Sequence, residues 1–432
     1  LAATPQTASL SPILKQATPV VVDHALGSWI HGTDGNSYLD FTTGIGVTST
    51  GHCHPRVVAA AQEQCTKIIH AQYTTVMHQP LLELTEKLGA VLPLGLDSVF
   101  YANSGSEAVE AAVRLARMAT AKPNIIVFQG GFHGRTVAAA SLTTAGTRFS
   151  AGFSPLMGGV HMAPFPYAYR YGWNDDAAID FALKELDYLL ASRVAPNDTA
   201  AFLIEPVLGD GGYLPTPPRF IAGLRERADR HGILLVIDEV QAGFGRTGKF
   251  WGHQHANDLT PDILVTAKGL ASGFPISAIA ASTELMSKAW PGSQGGTYGG
   301  NAVAAAAAIA TLDVIDDENL VENARVRGEQ LLSGIRSVTS HYDAVGDVRG
   351  LGLMVGIEFV SRDGDTPVPD AATALAVQQA TTRHGLLTLT CGPEANVVRL
   401  IPALVVTEHE IATGVERFSA ALSDVATRND GP

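Results

Sequence analysis

Between residues 98 and 280, short unbroken apolar runs alternate with longer amphipathic stretches. The runs cover 98–102, 125–128, 200–204, 233–237, 263–266 and 276–280, and helical periodicity covers 105–120, 134–142, 178–194 and 219–231. A strand without a polar face has to be covered on both sides, and strands separated by helices tend to run parallel. The pattern therefore predicts an α/β domain built on a mostly parallel sheet with helices on both faces. With 432 residues the chain is too long for one small module, and a second unit is expected. A hydrophobic content of 46% against 16% charged residues supplies the core that such a sheet needs.

Outside that stretch the signals are different. Residues up to about 50 are dotted with Pro, Thr and Gly and carry short strand-like runs at 20–23 and 37–41, followed by amphipathic helices over 56–69 and 79–91. A long helical stretch over 302–337, broken near 316–319, leads to a C-terminal unit. There 344–348, 354–359, 386–389 and 397–401 read as strands, and 370–384 and 408–422 as helices. The expected organisation is an N-terminal segment (1–50), a large α/β domain (51–316) and a small α+β domain (317–432), with the N-terminal segment packed against the small domain.

Charge and cysteine content exclude several classes. Lys and Arg total 29 against 42 Asp and Glu, a formal charge of −13, which disfavours nucleic acid or an anionic membrane as a partner. Three cysteines, Cys53, Cys65 and Cys391, make neither a disulfide framework nor a Cys-x-x-Cys metal pair, so a reducing, cytoplasmic setting is expected. The apolar run 302–310 is far too short to span a bilayer. The start at Leu1 has no basic and apolar leader pattern, so no signal peptide is expected, although the missing initiator Met leaves room for a short leader.

Two motifs mislead. Gly243-Phe244-Gly245-Arg246-Thr247-Gly248-Lys249 approaches a phosphate-binding P-loop, but Phe250 stands where a metal-binding Ser or Thr is needed. The carboxylate-bearing strand precedes this loop instead of following it, and no amphipathic helix comes after it. Gly51-His52-Cys53-His54-Pro55 suggests zinc, yet no second ligand pair lies at suitable spacing, and a turn ahead of the next helix explains it better. No metal is expected.

Four other features fall at strand ends. Asn103-Ser104-Gly105-Ser106-Glu107 offers free N–H groups at Gly105 and Ser106 for a phosphate, or a plain Ser104–Glu107 capping box. Asp238 closes the 233–237 strand, where ligands bind in α/β sheets, unless it merely pairs with Arg246. Lys268 follows another apolar strand, either as an uncharged amine nucleophile or as a surface lysine. Gly130-Gly131-Phe132-His133-Gly134-Arg135 sets an aromatic ring beside a cation, although a helix-start turn would look similar. A phosphate cup, a buried carboxylate, an amine and an aromatic plate are the parts that pyridoxal 5'-phosphate needs.

Over these residues, and along nearly the whole chain from about Val22, the sequence resembles fold-type-I, class III (ω-amino acid) aminotransferases, most of all the 4-aminobutyrate group. Further matching stretches are Glu205-Pro206-Val207, Asp238-Glu239-Val240-Gln241, Thr266-Ala267-Lys268-Gly269, Gly296-Thr297-Tyr298-Gly299-Gly300-Asn301 and Asn396-Val397-Val398-Arg399. The resemblance implies that Lys268 carries the cofactor and moves the substrate proton, and that Asp238 pairs with the pyridine nitrogen. It places Gly105 and Ser106 on the phosphate together with Thr297 from a second subunit, so a homodimer is implied, with the pairing of dimers into a tetramer left open. Phe132 and Val240 would flank the ring, with His133 in the same cofactor shell and Gln241 at the phenolic oxygen. Arg135 would take a distal carboxylate with Glu205 bracing it, Arg399 would take an α-carboxylate, and Ile45 would line the opposite wall.

Where similar enzymes carry Glu to neutralise Arg399 during 4-aminobutyrate turnover, this chain has Asp210, one methylene shorter, and Leu208 replaces the usual Gln. A loose or water-bridged Asp210–Arg399 contact is expected from the shorter reach. The implied reaction is transfer of the amino group of 4-aminobutyrate to 2-oxoglutarate, giving succinic semialdehyde and glutamate by alternating half-reactions. Acetylornithine, ornithine and 5-aminovalerate are the alternative donors. A mutase or decarboxylase on the same fold, a P-loop NTPase and a non-enzymatic scaffold are the other readings.

Overall fold

A computed structural model describes residues 10–257, 259–363 and 366–429. Residues 1–9 of the expected N-terminal segment and 430–432 of the expected small domain lie outside the described residues. The central sheet has seven strands. In neighbouring order they are Ser98–Ala102, Ser277–Ala281, Ile263–Thr266, Leu234–Asp238, Thr199–Ile204, Asn124–Phe128 and Val160–Ala163. Ser277–Ala281 is antiparallel to both neighbours, and every other pair is parallel.

The strand sequences explain why both faces are covered. Alternate residues of a strand point to opposite faces. Val127, Leu203, Val236 and Val265 pack with Val109, Ala112 and Leu115 of the Gly105–Thr120 helix on one face. Ile126, Phe202, Leu235 and Ile237 pack with Leu186 and Phe220 of two other helices on the opposite face. The Gly105–Thr120 helix starts at a capping box, with Ser104 accepting from the Glu107 N–H and the Glu107 carboxylate accepting from the Ser104 N–H. Strand Val160–Ala163 was not expected from the sequence. It is a four-residue edge strand whose apolar run is interrupted by His161, and the pattern it leaves is too weak to read.

The second unit is built on Val345–Leu351, Met354–Asp363, Val397–Leu400 and Leu389–Cys391, all antiparallel. It packs under helices Leu320–Thr339, Ala371–Arg383 and Glu408–Asn429. The expected strand at 386–389 is in fact two. Leu386–Leu387 runs parallel to Leu39–Asp40 of the N-terminal strands, whereas Leu389–Cys391 joins the other sheet. Between them Thr388 is buried and bonded through its hydroxyl to Thr381 at 2.8 Å and through its carbonyl to Gln378 at 3.3 Å, which anchors the change of sheet. Trp29 Nε1 donates to Glu410 Oε1 at 2.8 Å, a second tie between the N-terminal strands and the C-terminal helix.

Gly243 to Gly248 forms a buried turn. A Cβ on Gly248 would lie 3.0 Å from Arg325 Cα, so helix Leu320–Thr339 fills the space that a phosphate would need. His52 bonds to Asp40 at 2.8 Å and His54 to Glu318 at 3.0 Å, and Pro55 then opens helix Pro55–Lys67. No helix among the described residues is long and apolar enough to cross a membrane.

Candidate active site

Because six strands share one direction, their carboxyl ends deliver residues to one edge of the sheet. Ala102 leads to Gly105 and Ser106, Phe128 to Phe132 and His133, and Ile204 to Glu205. Asp238 ends its own strand, and Thr266 leads to Lys268. The antiparallel Ser277–Ala281 strand begins at that same edge, which brings Gly273 to Ile276 there too. A cavity of about 290 Å³ lies where they converge. It is lined by Gly105, Ser106, Phe132, His133, Glu205, Asp238, Val240, Gln241 and Lys268. Asn103, Ser104, Gly134, Val47, Ala267 and the Gly273–Ile276 segment complete the wall. Asn103, Ser104, Gly134 and Ala267 stand in stretches that the sequence marked, whereas Val47, Phe274, Pro275 and Ile276 carried no site signal of their own.

Asp238 is buried and doubly held. One oxygen accepts the Val240 N–H at 3.0 Å, and the other meets His133 Nδ1 at 2.8 Å. The suspected Arg246 partner is elsewhere, donating to the Pro402 carbonyl. A neutral His133 that donates from Nδ1 has an acceptor at Nε2, and that buried atom has no partner. The Gln241 Oε1 is likewise buried and unpartnered. Lys268 has φ +37°, a left-handed backbone that costs a non-glycine residue energy and marks a site held in place by its surroundings. Burial pushes the half-buried Lys268 amine below its ordinary pKa; Asp210 pulls it upward and Arg399 opposes that. The residue thereby approaches the uncharged form that a nucleophilic or proton-carrying amine requires.

Glu205 departs from its expected role. Its carboxylate accepts the Phe132 N–H at 2.8 Å and the Gly209 N–H at 2.9 Å, and it forms no ion pair with Arg135. Burial raises its pKa to about 7, with His133 opposing and Asp238 adding to the rise. It thus ties two backbone turns together from inside the site, while Arg135 is exposed with its guanidinium 5.0 Å above the Phe149 ring. The Arg135 backbone N–H is fixed on Ser106 Oγ at 3.1 Å, while its side chain stays out of the cavity lining.

Arg399 and Asp210 meet directly at 3.0 Å, both largely buried, so the expected loose contact is corrected. Burial acts to lower the Arg399 pKa, and Asp210 with Tyr213 and Cys391 more than offsets it. The Arg399 guanidinium also lies 5.9 Å from the centre of the Tyr213 ring. The remaining expected residues lie outside the cavity wall. Ile45 is 42% exposed, two residues before Val47, and Thr297 lies on an exposed loop.

Strand-edge carboxylate, phosphate-sized cup and lowered-pKa lysine on a mostly parallel sheet define an enzyme that uses pyridoxal 5'-phosphate. The chain belongs to the class-III aminotransferases, whose family profile matches residues 12–422. It is 37% identical to 5-aminovalerate aminotransferase DavT of Pseudomonas putida, with 95% of each chain covered. It is also 37% identical to 4-aminobutyrate aminotransferase GabT of Escherichia coli, again with 95% of each covered. Among solved structures it resembles an amine transaminase of an uncultivated Pseudomonas species in its PLP-bound form. There the TM-score is 0.90 and the identity 29%, with 97% of this chain and 99% of that one covered. The fold is accordingly that of the fold-type-I enzymes.

Proposed function

We propose that the protein transfers the amino group of 4-aminobutyrate to 2-oxoglutarate, releasing succinic semialdehyde and glutamate. The observation that carries this reading is the buried Asp210–Arg399 pair whose charges are felt at Lys268. A donor with one distal carboxylate leaves Arg399 without a substrate partner, and a buried guanidinium needs a counter-charge. A donor with two carboxylates displaces Asp210 and takes Arg399 itself, and bidentate recognition suits that exchange.

The cavity fits the cofactor on its own terms. Gly105 packs so tightly on Val240 that a Cβ would stand 3.0 Å from Val240 Cγ1, leaving a bare backbone approach at the start of a helix. The unpartnered Gln241 Oε1 and the buried Asp238 supply polar contacts for the far side of a planar ring. Bound, pyridoxal phosphate supplies an aldehyde carbon and a ring that withdraws electrons when its nitrogen is protonated. Asp238, oriented by His133, holds that proton. Gly105 and Ser106 would hold the phosphate, and Phe132 and Val240 would hold the ring. Lys268, whose amine burial shifts toward the uncharged form, would be the group that accepts a proton from the substrate carbon and gives it back two atoms along. Arg135 swings inward to receive the distal carboxylate, and Ile45 closes that wall.

A homodimer completes the site. Ile69, Val76, Met77 and Tyr298 are exposed apolar residues near Thr297 in sequence or through the His70–Tyr298 ring contact. Thr297 of one subunit then serves the phosphate of the other. Lys268→Ala and Thr297→Asp proteins are each expected to be inactive. Random mixing should restore about a quarter of wild-type activity, because half the dimers would carry one intact site. No recovery on mixing would remove Thr297 from the neighbouring site. The same reading keeps the division at 1–50, 51–316 and 317–432, supported by the pairing of Leu386–Leu387 with Leu39–Asp40.

5-Aminovalerate is the second reading, since a relative of that activity is as similar as the 4-aminobutyrate enzyme. One methylene changes binding by only about 1–3 kcal/mol in an apolar pocket. The deciding experiment follows the visible absorbance of the purified protein during alternate additions. 4-Aminobutyrate should bleach the yellow band and 2-oxoglutarate should restore it. Bleaching by 5-aminovalerate or ornithine alone would move the donor and keep the chemistry. No yellow band after cofactor addition would sink the reading.

A further inference from the structure

Asp210 sits in a turn whose neighbours have no room for side chains. A Cβ on Gly209 would lie 2.8 Å from Gln241 Oε1, one on Gly211 2.3 Å from the Gly130 carbonyl, and one on Gly212 3.0 Å from Arg349 Nη2. The second unit grips this turn twice. Gly392 N–H donates to the Asp210 carbonyl at 2.8 Å. Arg349, in strand Val345–Leu351, donates from Nε and Nη2 to the Gly212 carbonyl at 3.0 and 2.8 Å.

Arg349 is itself locked. Its Nη1 meets Asp347 at 2.8 Å and Glu358 at 2.5 Å. Glu358 in turn accepts from the Tyr167 hydroxyl and from Asn396 Nδ2. Two carboxylates already answer the guanidinium charge, so the fork on Gly212 adds position rather than charge balance. A planar guanidinium with both donors on one carbonyl fixes that oxygen in a way an ammonium does not. The shorter side chain of Asp210 makes this placement matter. A Glu has one more rotatable bond with which to reach Arg399, whereas an Asp needs its backbone set close.

We propose that Arg349 is a specificity-determining positioning residue: by fixing the Gly212 carbonyl it holds Asp210 on Arg399, and so favours donors with a single carboxylate over those with two. This rests on the reading of Asp210 and Arg399 given above. Arg349 is not among the residues that line the cavity, so its effect is on the balance between half-reactions.

The test uses the full-length holoenzyme and measures both half-reactions by single-turnover absorbance, one with an ω-amine that the wild type turns over and one with glutamate. Arg349→Lys keeps the charge that Asp347 and Glu358 need but loses the fork. The ω-amine kcat/KM should fall about 10-fold, with glutamate changed less than about 3-fold. An Arg349→Gln/Glu358→Gln double variant leaves no carboxylate newly unpaired at Glu358 and should shift the ratio in the same direction. A merely structural role would lower both half-reactions together, along with bound cofactor and thermal stability. An unmoved ratio in both variants overturns the inference alone. A wild type that turns over no ω-amine overturns the functional reading and the inference with it.

Discussion

Lys268→Ala is expected to lose about 10⁴-fold or more in turnover while keeping its fold, because one side chain serves both as amine nucleophile and as proton carrier. The structure supports a large effect from a single amine. Among the described residues Lys268 has no hydrogen bond or ion pair to another side chain, its pKa is depressed by burial, and its backbone is held in a left-handed conformation. No neighbour is placed to substitute. Glu205 is committed to the N–H groups of Phe132 and Gly209, and Asp238 to His133 and Val240. Steady-state rates on the purified variant, with thermal unfolding as the folding control, check this. Partial rescue by added ethylamine would identify the missing function as an amine. A variant within 10-fold of wild type would remove Lys268 from the chemistry.

The second large effect concerns selectivity. Asp210→Ala should reduce the 4-aminobutyrate half-reaction about 30-fold and leave glutamate within about 3-fold. Leaving one partner of a buried ion pair alone costs on the order of 3–5 kcal/mol, part of which substrate binding would feel. Arg399→Gln should do the reverse, lowering glutamate and 2-oxoglutarate kcat/KM by about 10²–10³-fold, because the charged fork that orients the second carboxylate is gone. The two variants form a cross-over, and the comparison is internal to each protein. Equal losses in both half-reactions, or none for Asp210→Ala, would remove the pair from substrate selection.

Much of the architecture was legible because the periodicity of buried strands and amphipathic helices is a local property. The Gly105–Thr120 helix, its Ser104–Glu107 capping box and the strand that ends at Asp238 follow from residues within a few positions of one another. The edge strand Val160–Ala163 and the change of sheet at Thr388 did not, because an edge strand has one neighbour and a sheet switch depends on distant partners. The site divides in the same way. Gly105, Ser106, Phe132, His133, Asp238, Val240, Gln241 and Lys268 each stand at or just after a strand end, so their convergence follows once the strands are parallel.

Sequence by itself thus determined the α/β class, the family and the residues that meet at the sheet edge. Tertiary structure decided what those residues touch. Glu205 binds backbone turns and not Arg135, His133 orients Asp238, and Asp210 reaches Arg399 without a bridge. Arg349, which the sequence did not mark, holds the turn between them from 137 positions away. The physical reason is one of range. Propensity, capping and strand periodicity act over a few residues, whereas a carboxylate chooses its partner by a distance of about 3 Å that only the packed chain defines.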